Sequence, residues 1–458
     1  MSTLQPTTLA GHLRATWLLG LPLIGGMLAQ VAITLTDTVM MGWYGVAELA
    51  AVAIGASYFH VVMILGMGFG LAVMPMVAAA AANDDRRQVR RITRMGLWIG
   101  LLFSALAMPL FWYSGAIFLA LGQTPQIAAD AQAYLRIAGW AIAPAVLMSV
   151  FRSHLSALEH ARIVLWATLA GAALNAAVNW VLIFGNLGAP ELGIAGAAIA
   201  SLGTQLLICV VLAVYSAVHR DLRQDTLFAR FWNPDWDAFG QVFRLGWPIA
   251  LTLLAESGLF MATMVMMGWI GENELAAHGI AIQICATTFM VHIGLSQAAT
   301  VRAGRAWGRG DRANLRLAGL AALILSGAMV AITILAFVTI PDTLIGLFVD
   351  PADPLKPTIL SIGASLLAVA ALFQLADAAQ VMALGLLRGV QDTRTPMIYA
   401  VISYWLIGVP CAYLFGFPFG LGGPGIWLGL VVGLAIAGSL MMARFWRGPA
   451  SRHPVAAA

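Results

Sequence analysis

Long apolar runs follow one another along the whole chain, each broken by Gly, Pro or a knot of charge. Windowed hydropathy and these breaks place twelve runs at roughly 15–41, 47–80, 95–119, 130–152, 163–186, 192–218, 240–269, 274–304, 314–340, 356–387, 395–418 and 422–446. An α-helix needs ~20 residues to cross ~30 Å of hydrocarbon, and each run is long enough. The pattern predicts an all-α polytopic membrane protein with twelve transmembrane helices. The first run, from about Thr16 to Met41, is longer than the apolar segment of a secretory signal. No small-residue cleavage site follows it, so it is expected to be kept as the first span.

Composition supports this reading. Of 458 residues, 61% are hydrophobic and 10% charged, against about 25% charged in a soluble domain. So few charges cannot coat a globular surface of this size, and lipid must face most of the chain. The net charge of +4 invites a nucleic-acid partner, but the positions of the charges argue against one. Arg14, Arg86, Arg87, Arg90, Arg91, Arg94, Arg152, Arg162, Arg220, Arg223, Arg230 and Arg244 fall in alternate loops or before the first span. So do Arg302, Arg305, Arg309, Arg312, Arg316, Arg388 and Arg394, with Arg444, Arg447 and Arg452 in the tail. These are 22 of the 24 basic residues; only Arg136 and Lys356 lie on the other side. The positive-inside rule then puts both termini in the cytoplasm, with the chain in the cell inner (plasma) membrane. Cys209, Cys285 and Cys411 lie far apart in apolar runs and read as packing residues.

A second pattern overlies the first. Displaced by 226 positions, Gly20–Ile54 lies over Gly246–Ile280 without a gap, and 15 of the 35 pairs are identical. Met40-Met41-Gly42-Trp43 matches Met266-Met267-Gly268-Trp269, and Glu48-Leu49-Ala50-Ala51 matches Glu274-Leu275-Ala276-Ala277. Shared apolar composition matches single residues, not two ordered blocks in one register. The register continues to Asp85-Arg86 over Asp311-Arg312. Six spans per copy, an even number, make the copies parallel repeats. The expected division is an N-lobe over 1–218, a cytoplasmic linker over 219–244 and a C-lobe over 245–458. Binding sites in such folds lie near the repeat interface, close to the bilayer midplane. Pro22 and Pro248 are equivalent under the shift, and each can bend its helix, so both are candidate hinges.

Three acids fall inside spans: Asp37, Glu256 and Asp377. A charge at the centre of a spanning helix costs about 2.5–3.5 kcal/mol on insertion scales. No intramembrane Lys or Arg is evident beside them. Each must face a wet cavity, take up a proton or bind a cation, and desolvation favours the neutral acid. Such residues are functional sites by default, whereas the bland reading makes them interhelical hydrogen-bond donors. Under the shift Glu256 lies over Gln30, and Asp37 over Thr263, so the lobes share a frame but not the chemistry. Gln30 and Asp37, seven apart, share nearly one helix face, inferred to line an N-lobe cavity. Glu256 and Asp377 are expected to face each other in the C-lobe. Asn175 and Asn179, four apart, share a face and offer amides to Asp37, or serve as helix–helix glue. Gln283, Gln374 and Gln380 are weaker candidates, and His60, His278 and His292 read as packing histidines. Met and aromatic residues, among them Phe260, Phe289 and Phe373, suit an adaptable wall for apolar cations. No nucleotide-binding loop, Ser/His/Asp set or HExxH is present, which excludes the enzyme classes and ATP-driven transport that need them. No cofactor beyond a coupling ion is expected.

These residues resemble the multidrug and toxic compound extrusion (MATE) family. Thr36-Asp37-Thr38-Val39-Met40-Met41-Gly42, with Pro22 and Gln30 before it, is similar to the family's first-span signature. Leu254-Ala255-Glu256-Ser257, Ala276-Ala277-His278, Gln374-Leu375-Ala376-Asp377-Ala378-Ala379-Gln380, and Leu174-Asn175 with Asn179-Trp180 resemble it too. Acids in spans 1, 7 and 10 point to the NorM-like branch. The resemblance implies a secondary active multidrug efflux antiporter, exporting cationic lipophilic drugs or dyes against Na+ or H+ by alternating access. It implies that Glu256 and Asp377 hold the coupling cation, Na+ being a candidate, and that Asp37, Asn175 and Asn179 form a proton or substrate site. Phe373 departs from a tyrosine expected in some NorM-like members one turn before the span-10 acid. The alternative is a lipid-linked precursor flippase of the same superfamily, which favours cavity-lining basic residues and extra spans; neither is seen. The expected partners are small cationic lipophilic substrates and membrane lipid, and the expected state is a monomer.

Overall fold

The computed structural model describes residues 7–44, 46–229, 231–350 and 354–451, so Arg230 and Arg452 of the basic count lie outside the described residues. Twelve helices among them are long and apolar enough to cross a membrane. In chain order they are α1 (Leu9–Tyr44), α2 (Val46–Ala82), α3 (Arg86–Trp112), α4 (Pro125–Ala157), α5 (Ala161–Phe184) and α6 (Ile194–Val218). Then come α7 (Trp236–Ile270), α8 (Glu272–Gly308), α9 (Arg312–Thr339), α10 (Lys356–Gly389), α11 (Arg394–Gly416) and α12 (Gly422–Arg447). A 3-10 turn at Gly139–Ala141 interrupts α4, and a π-helical stretch at Ile402–Gly408 interrupts α11. Helix is what hydrocarbon demands, because no water is there to satisfy a free amide or carbonyl. Large apolar side chains stand outward, Leu106 and Leu406 each at 70% exposure, as a lipid-facing surface requires.

The repeat is visible in the elements. A shift of 226 carries the end of α1 onto the end of α7, and both ends of α2 onto those of α8. It also carries the start of α3 onto the start of α9. Asp85 caps α3 by accepting from the Gln88 amide at 2.9 Å, and its equivalent Asp311 caps α9 by accepting from the Asn314 amide at 3.0 Å. The helices begin earlier than the apolar runs suggest. Arg86, Arg87, Arg90, Arg91 and Arg94, expected in a loop, occupy the first turns of α3, and Arg302 and Arg305 the last turns of α8. Hydropathy marks the apolar stretch, while the helix continues past it, with Arg86 and Arg87 exposed at the start of α3 and Arg94 and Arg302 turned into the protein.

By contacts the chain divides into two compact units, Gly25–Ala250, and Met1–Ile24 with Leu251–Ala458. Both boundaries fall inside helices, two residues after Pro22 in α1 and after Pro248 in α7. In the second unit the first part of α1 packs on α8: Ile24 lies so close to Gly294 that a Cβ there would stand 2.7 Å from the Ile24 nitrogen. Buried His12 is held by Asn314 at 2.9 Å and by Arg302 at 3.0 Å. In the other unit the first part of α7 packs on α2: a Cβ on Gly68 would stand 2.5 Å from the Ala250 nitrogen. Phe69 and Phe243 stack there at 5.4 Å. Gly68 and Gly294, and Ala250 and Ile24, are equivalent under the same shift. One backbone crossing is built twice.

Each crossing admits only glycine, since the obstruction is backbone and cannot turn aside. Gly294→Leu and Gly68→Leu are each expected to lower stability by about 1–3 kcal/mol or more. Gly279→Ala, on α8 with open space around it, is the control and should be neutral or slightly stabilising. Thermal unfolding of the detergent-solubilised protein reads the difference.

A charged contact fixes the start of α7 within its unit. Arg91 reaches Asp235 with a two-pronged bond, Nε to Oδ2 at 2.5 Å and Nη2 to Oδ1 at 3.0 Å, and Asp235 caps α7 by accepting from the Ala238 amide at 3.1 Å. The guanidinium beside it holds the Asp235 carboxyl down at about 2. A carboxyl held below its ordinary value adds stability above that value and loses it as pH falls toward 2. Asp235→Asn should therefore cost about 1 kcal/mol at neutral pH. The gap from the native protein should close as pH falls from about 4 toward 2, read from unfolding curves across pH.

Candidate functional site

Each unit holds its own acidic site. In the first, Asp37 on α1 faces α5 and α6. Its Oδ1 accepts from Asn175 Nδ2 at 2.9 Å and from Asn179 Nδ2 at 2.6 Å, and its Oδ2 accepts from Ser201 Oγ at 3.3 Å. The two asparagines are fully buried, and Asn179 also donates to Asn175 Oδ1 at 3.2 Å. Their spacing of four on α5 stacks both amides beneath one carboxylate. Buried Tyr134 on α4 lies within electrostatic reach of Asp37. Beside Asp37, the hydroxyls of Thr36 and Thr38 bond back to the carbonyls of Ala32 and Thr34 at 2.8 and 2.9 Å. They are occupied by the helix itself. Gln30 is half-buried on α1, and no hydrogen bond ties its side chain to Asp37 among the described residues.

In the second unit, Glu256 on α7 and Asp377 on α10 lie within electrostatic reach of each other. Asp377 is 1% exposed, and its Oδ1 has no hydrogen-bond partner. One turn before it, Phe373 packs edge-on to Phe260 and Trp427, at centroid distances of 6.0 and 5.4 Å. Gln374 donates to Thr288 Oγ1 and to the Cys285 carbonyl on α8. Gln380 is fully buried, with neither side-chain polar atom hydrogen-bonded. Gln283 is exposed on α8 and makes no hydrogen bond to either acid. Of the histidines, His278 accepts from Trp427 Nε1 at 3.1 Å, and His292 pairs with Ser326 at 3.0 Å, both as packing residues do.

The structure corrects one expectation here. A base does stand near these acids: Arg388, in the last turn of α10, lies within electrostatic reach of Glu256. Two of its side-chain nitrogens are buried without a hydrogen-bond partner. The positive-inside count treats Arg388 only as a topology marker, because its proximity to Glu256 is tertiary and leaves no mark in the spacing along α10. Tyr404 was also missed. Fully buried in the π-helical stretch of α11, it lies within electrostatic reach of Glu256, Asp377 and Arg388. Its hydroxyl and that of the neighbouring Ser403 have no hydrogen-bond partner. The π-helical stretch adds a residue to the turn, an irregularity frequent at functional sites. Ser201 and Tyr134 were likewise overlooked. Ser201 shares one face of span 6 with Thr204 and Gln205, three and four residues on, and that polar cluster was the available signal.

This is the architecture of a multi-pass membrane transporter: twelve spanning helices among the described residues, a repeated frame, and acids placed within the spans. The family model MatE matches residues 22–181 and again 248–414, one copy in each half and each starting at an equivalent proline. A "Probable multidrug resistance protein NorM" of Rhizobium meliloti (strain 1021) is 46% identical over 95% of this chain and 93% of its own length. Another protein so named, from Agrobacterium fabrum (strain C58 / ATCC 33970), is 42% identical over 95% and 93%. A solved structure described as the outward-facing conformation of a multidrug resistance MATE family transporter of the MOP superfamily aligns with a TM-score of 0.87. It shares 21% identity and covers 95% of this chain and 96% of its own. The chain belongs to the MATE family, and it is a transporter, not an enzyme.

The Asp37 contacts predict an order of effects. Asn179→Ala removes the shortest donor to the carboxylate and should cost about 1–2 kcal/mol. Ser201→Ala, which removes a 3.3 Å contact, should cost less. Thermal unfolding of the two variants reads the order.

Proposed function

We propose that the protein is a secondary active antiporter of the inner membrane, exporting cationic lipophilic compounds in exchange for Na+ or H+, with both termini cytoplasmic. The observation that carries this reading is two acids, Glu256 and buried Asp377, held within electrostatic reach of each other in one membrane-spanning unit. Two carboxylates close together in apolar surroundings are stable only when a proton or a cation offsets their repulsion. The unpartnered hydroxyl of Tyr404, within electrostatic reach of both acids, adds a hard donor of the kind a small cation or a hydrated proton takes up. Tyr404 brings from α11 the hydroxyl that Phe373 lacks. Arg388 competes for Glu256 whenever the coupling ion leaves, which limits the cost of an empty site.

Asp37 serves as the second site. Three neutral donors hold its carboxylate without cancelling its charge, so it keeps an attraction for a proton or a cationic substrate. The relatives' names, multidrug resistance proteins, support export of drug-like compounds. Pro22 and Pro248 act as hinges: each precedes the point where its helix passes from one packing environment to the next.

Efflux of a cationic dye from cells expressing the protein, under separate Na+ and H+ gradients, tests the reading. Asp37→Asn, Glu256→Gln and Asp377→Asn should each slow gradient-driven efflux at least about tenfold, one such factor corresponding to 1.4 kcal/mol. Full efflux from the triple variant would sink the coupling role. Efflux under a pH gradient but not under a Na+ gradient assigns H+ as the coupling ion, and the converse assigns Na+.

A further inference from the structure

Away from both acidic sites, within the Gly25–Ala250 unit, two histidines and an aspartate converge. His160 caps the start of α5, His219 ends α6, and Asp221 lies in the one-turn helix Arg220–Arg223 that follows. One ligand-capable atom from each lies within 4.8 Å of the other two. We propose that His160, His219 and Asp221 form a binding site for a divalent first-row transition-metal ion, Zn2+ being the natural fit.

The ligand chemistry suits such an ion. Two imidazoles and one carboxylate are a common zinc set, and the fourth position stays open to water. Tetrahedral Zn2+ sets its donors about 3.4 Å apart, so a bound ion would draw the three together from their present spacing. The support around them is already built. Tyr215 Oη sits 3.1 Å from His160 Nδ1, which fixes the ring and leaves Nε2 as the ligating atom. A second hydrogen bond of this kind is what orients most metal-binding histidines. The Tyr215 ring also stacks on His219 at 4.6 Å. Backbone bonds from Leu222 and Arg223 to the His219 carbonyl, at 3.0 and 2.8 Å, hold the turn that carries Asp221. Buried Leu222 anchors that turn.

A second observation points to a ligand. Nδ1 of His219 is buried and has no hydrogen-bond partner, an arrangement that leaves a polar atom unsatisfied unless something binds it. The two histidine rings lie 4.8 Å apart with an interplanar angle of 70°, an edge-to-face approach that lets nitrogens of both converge on one point. A bound ion would tie the turn before α5 to the exit of α6.

Titration calorimetry of the tag-free, detergent-solubilised protein with ZnCl2 tests the site. One equivalent is expected to bind. Asp221→Asn, at an exposed position that folding does not need, should weaken binding at least tenfold. Tyr215→Phe should weaken it by a smaller factor, since it removes the orienting bond and no ligand. Visible absorption on adding CoCl2 should show tetrahedral coordination in the native protein and lose it in His219→Gln. No saturable Zn2+ binding by the native protein would overturn the proposal. So would one equivalent retained unchanged in Asp221→Asn and in a folded His160→Gln/His219→Gln variant, because the trio would then be packing alone.

Discussion

Hydrocarbon accepts no unpaired backbone group, and that single constraint governs the rest of this structure. It makes every span a helix and leaves packing between helices to shape and to a few polar contacts. The closest approaches are made where a side chain would be an obstacle, at Gly68 against Ala250 and Gly294 against Ile24. The one irregular stretch within α11 falls where Ser403 and Tyr404 are buried. Irregular backbone at depth is tolerated only where it is enclosed by protein, and there it brings polar side chains to bear on a site.

The same constraint explains why the doubled crossing matters. A helix whose first half belongs to one packed unit and whose second half belongs to the other cannot move as one piece when either unit changes. Bending must concentrate where the helical ladder is already weakened, and a proline weakens it by removing one hydrogen bond. Pro22 and Pro248 each stand two residues before the boundary. Glycine at each crossing keeps the contact close, and the proposed hinge at the proline beside it is the counterpart of that fixed contact.

Much of this frame was legible in the sequence. The 226-residue register, read from identities around Met40-Met41-Gly42-Trp43, reappears in helix ends and in the paired caps Asp85 and Asp311. Such features are local, and a repeat doubles the signal. The spacing of Asn175 and Asn179 was legible for the same reason, since two residues four apart on one helix share a face. Tyr134, Ser201, Arg388 and Tyr404 were not. Each joins an acid on a helix far away in the chain, and periodicity within one helix says which residues share a face but not which helix that face meets. Hydropathy also set the start of α3 and the end of α8 too far inward, because it measures the apolar layer and arginine carries the helix beyond it.

The broken symmetry between the two acidic sites follows from their neutralising groups. Asp37 is surrounded by neutral donors, two amides and a hydroxyl, which stabilise a carboxylate while leaving its charge uncancelled. Glu256 and Asp377 have each other and a guanidinium. In a low-dielectric interior such a triad has a net charge that a single proton or monovalent cation brings to zero. A neutral triad is the cheapest state to enclose, and a charged one must stay open to water. If an ion loads the C-terminal site as proposed, loading it and closing it to solvent are linked energetically, whichever ion does so. No such link is available to Asp37, which has no cation of its own and reaches neutrality only through what it binds. Two sites built on one frame thus differ in what each needs to reach neutrality, and the proposed exchange of an ion for a cationic substrate would draw on that difference.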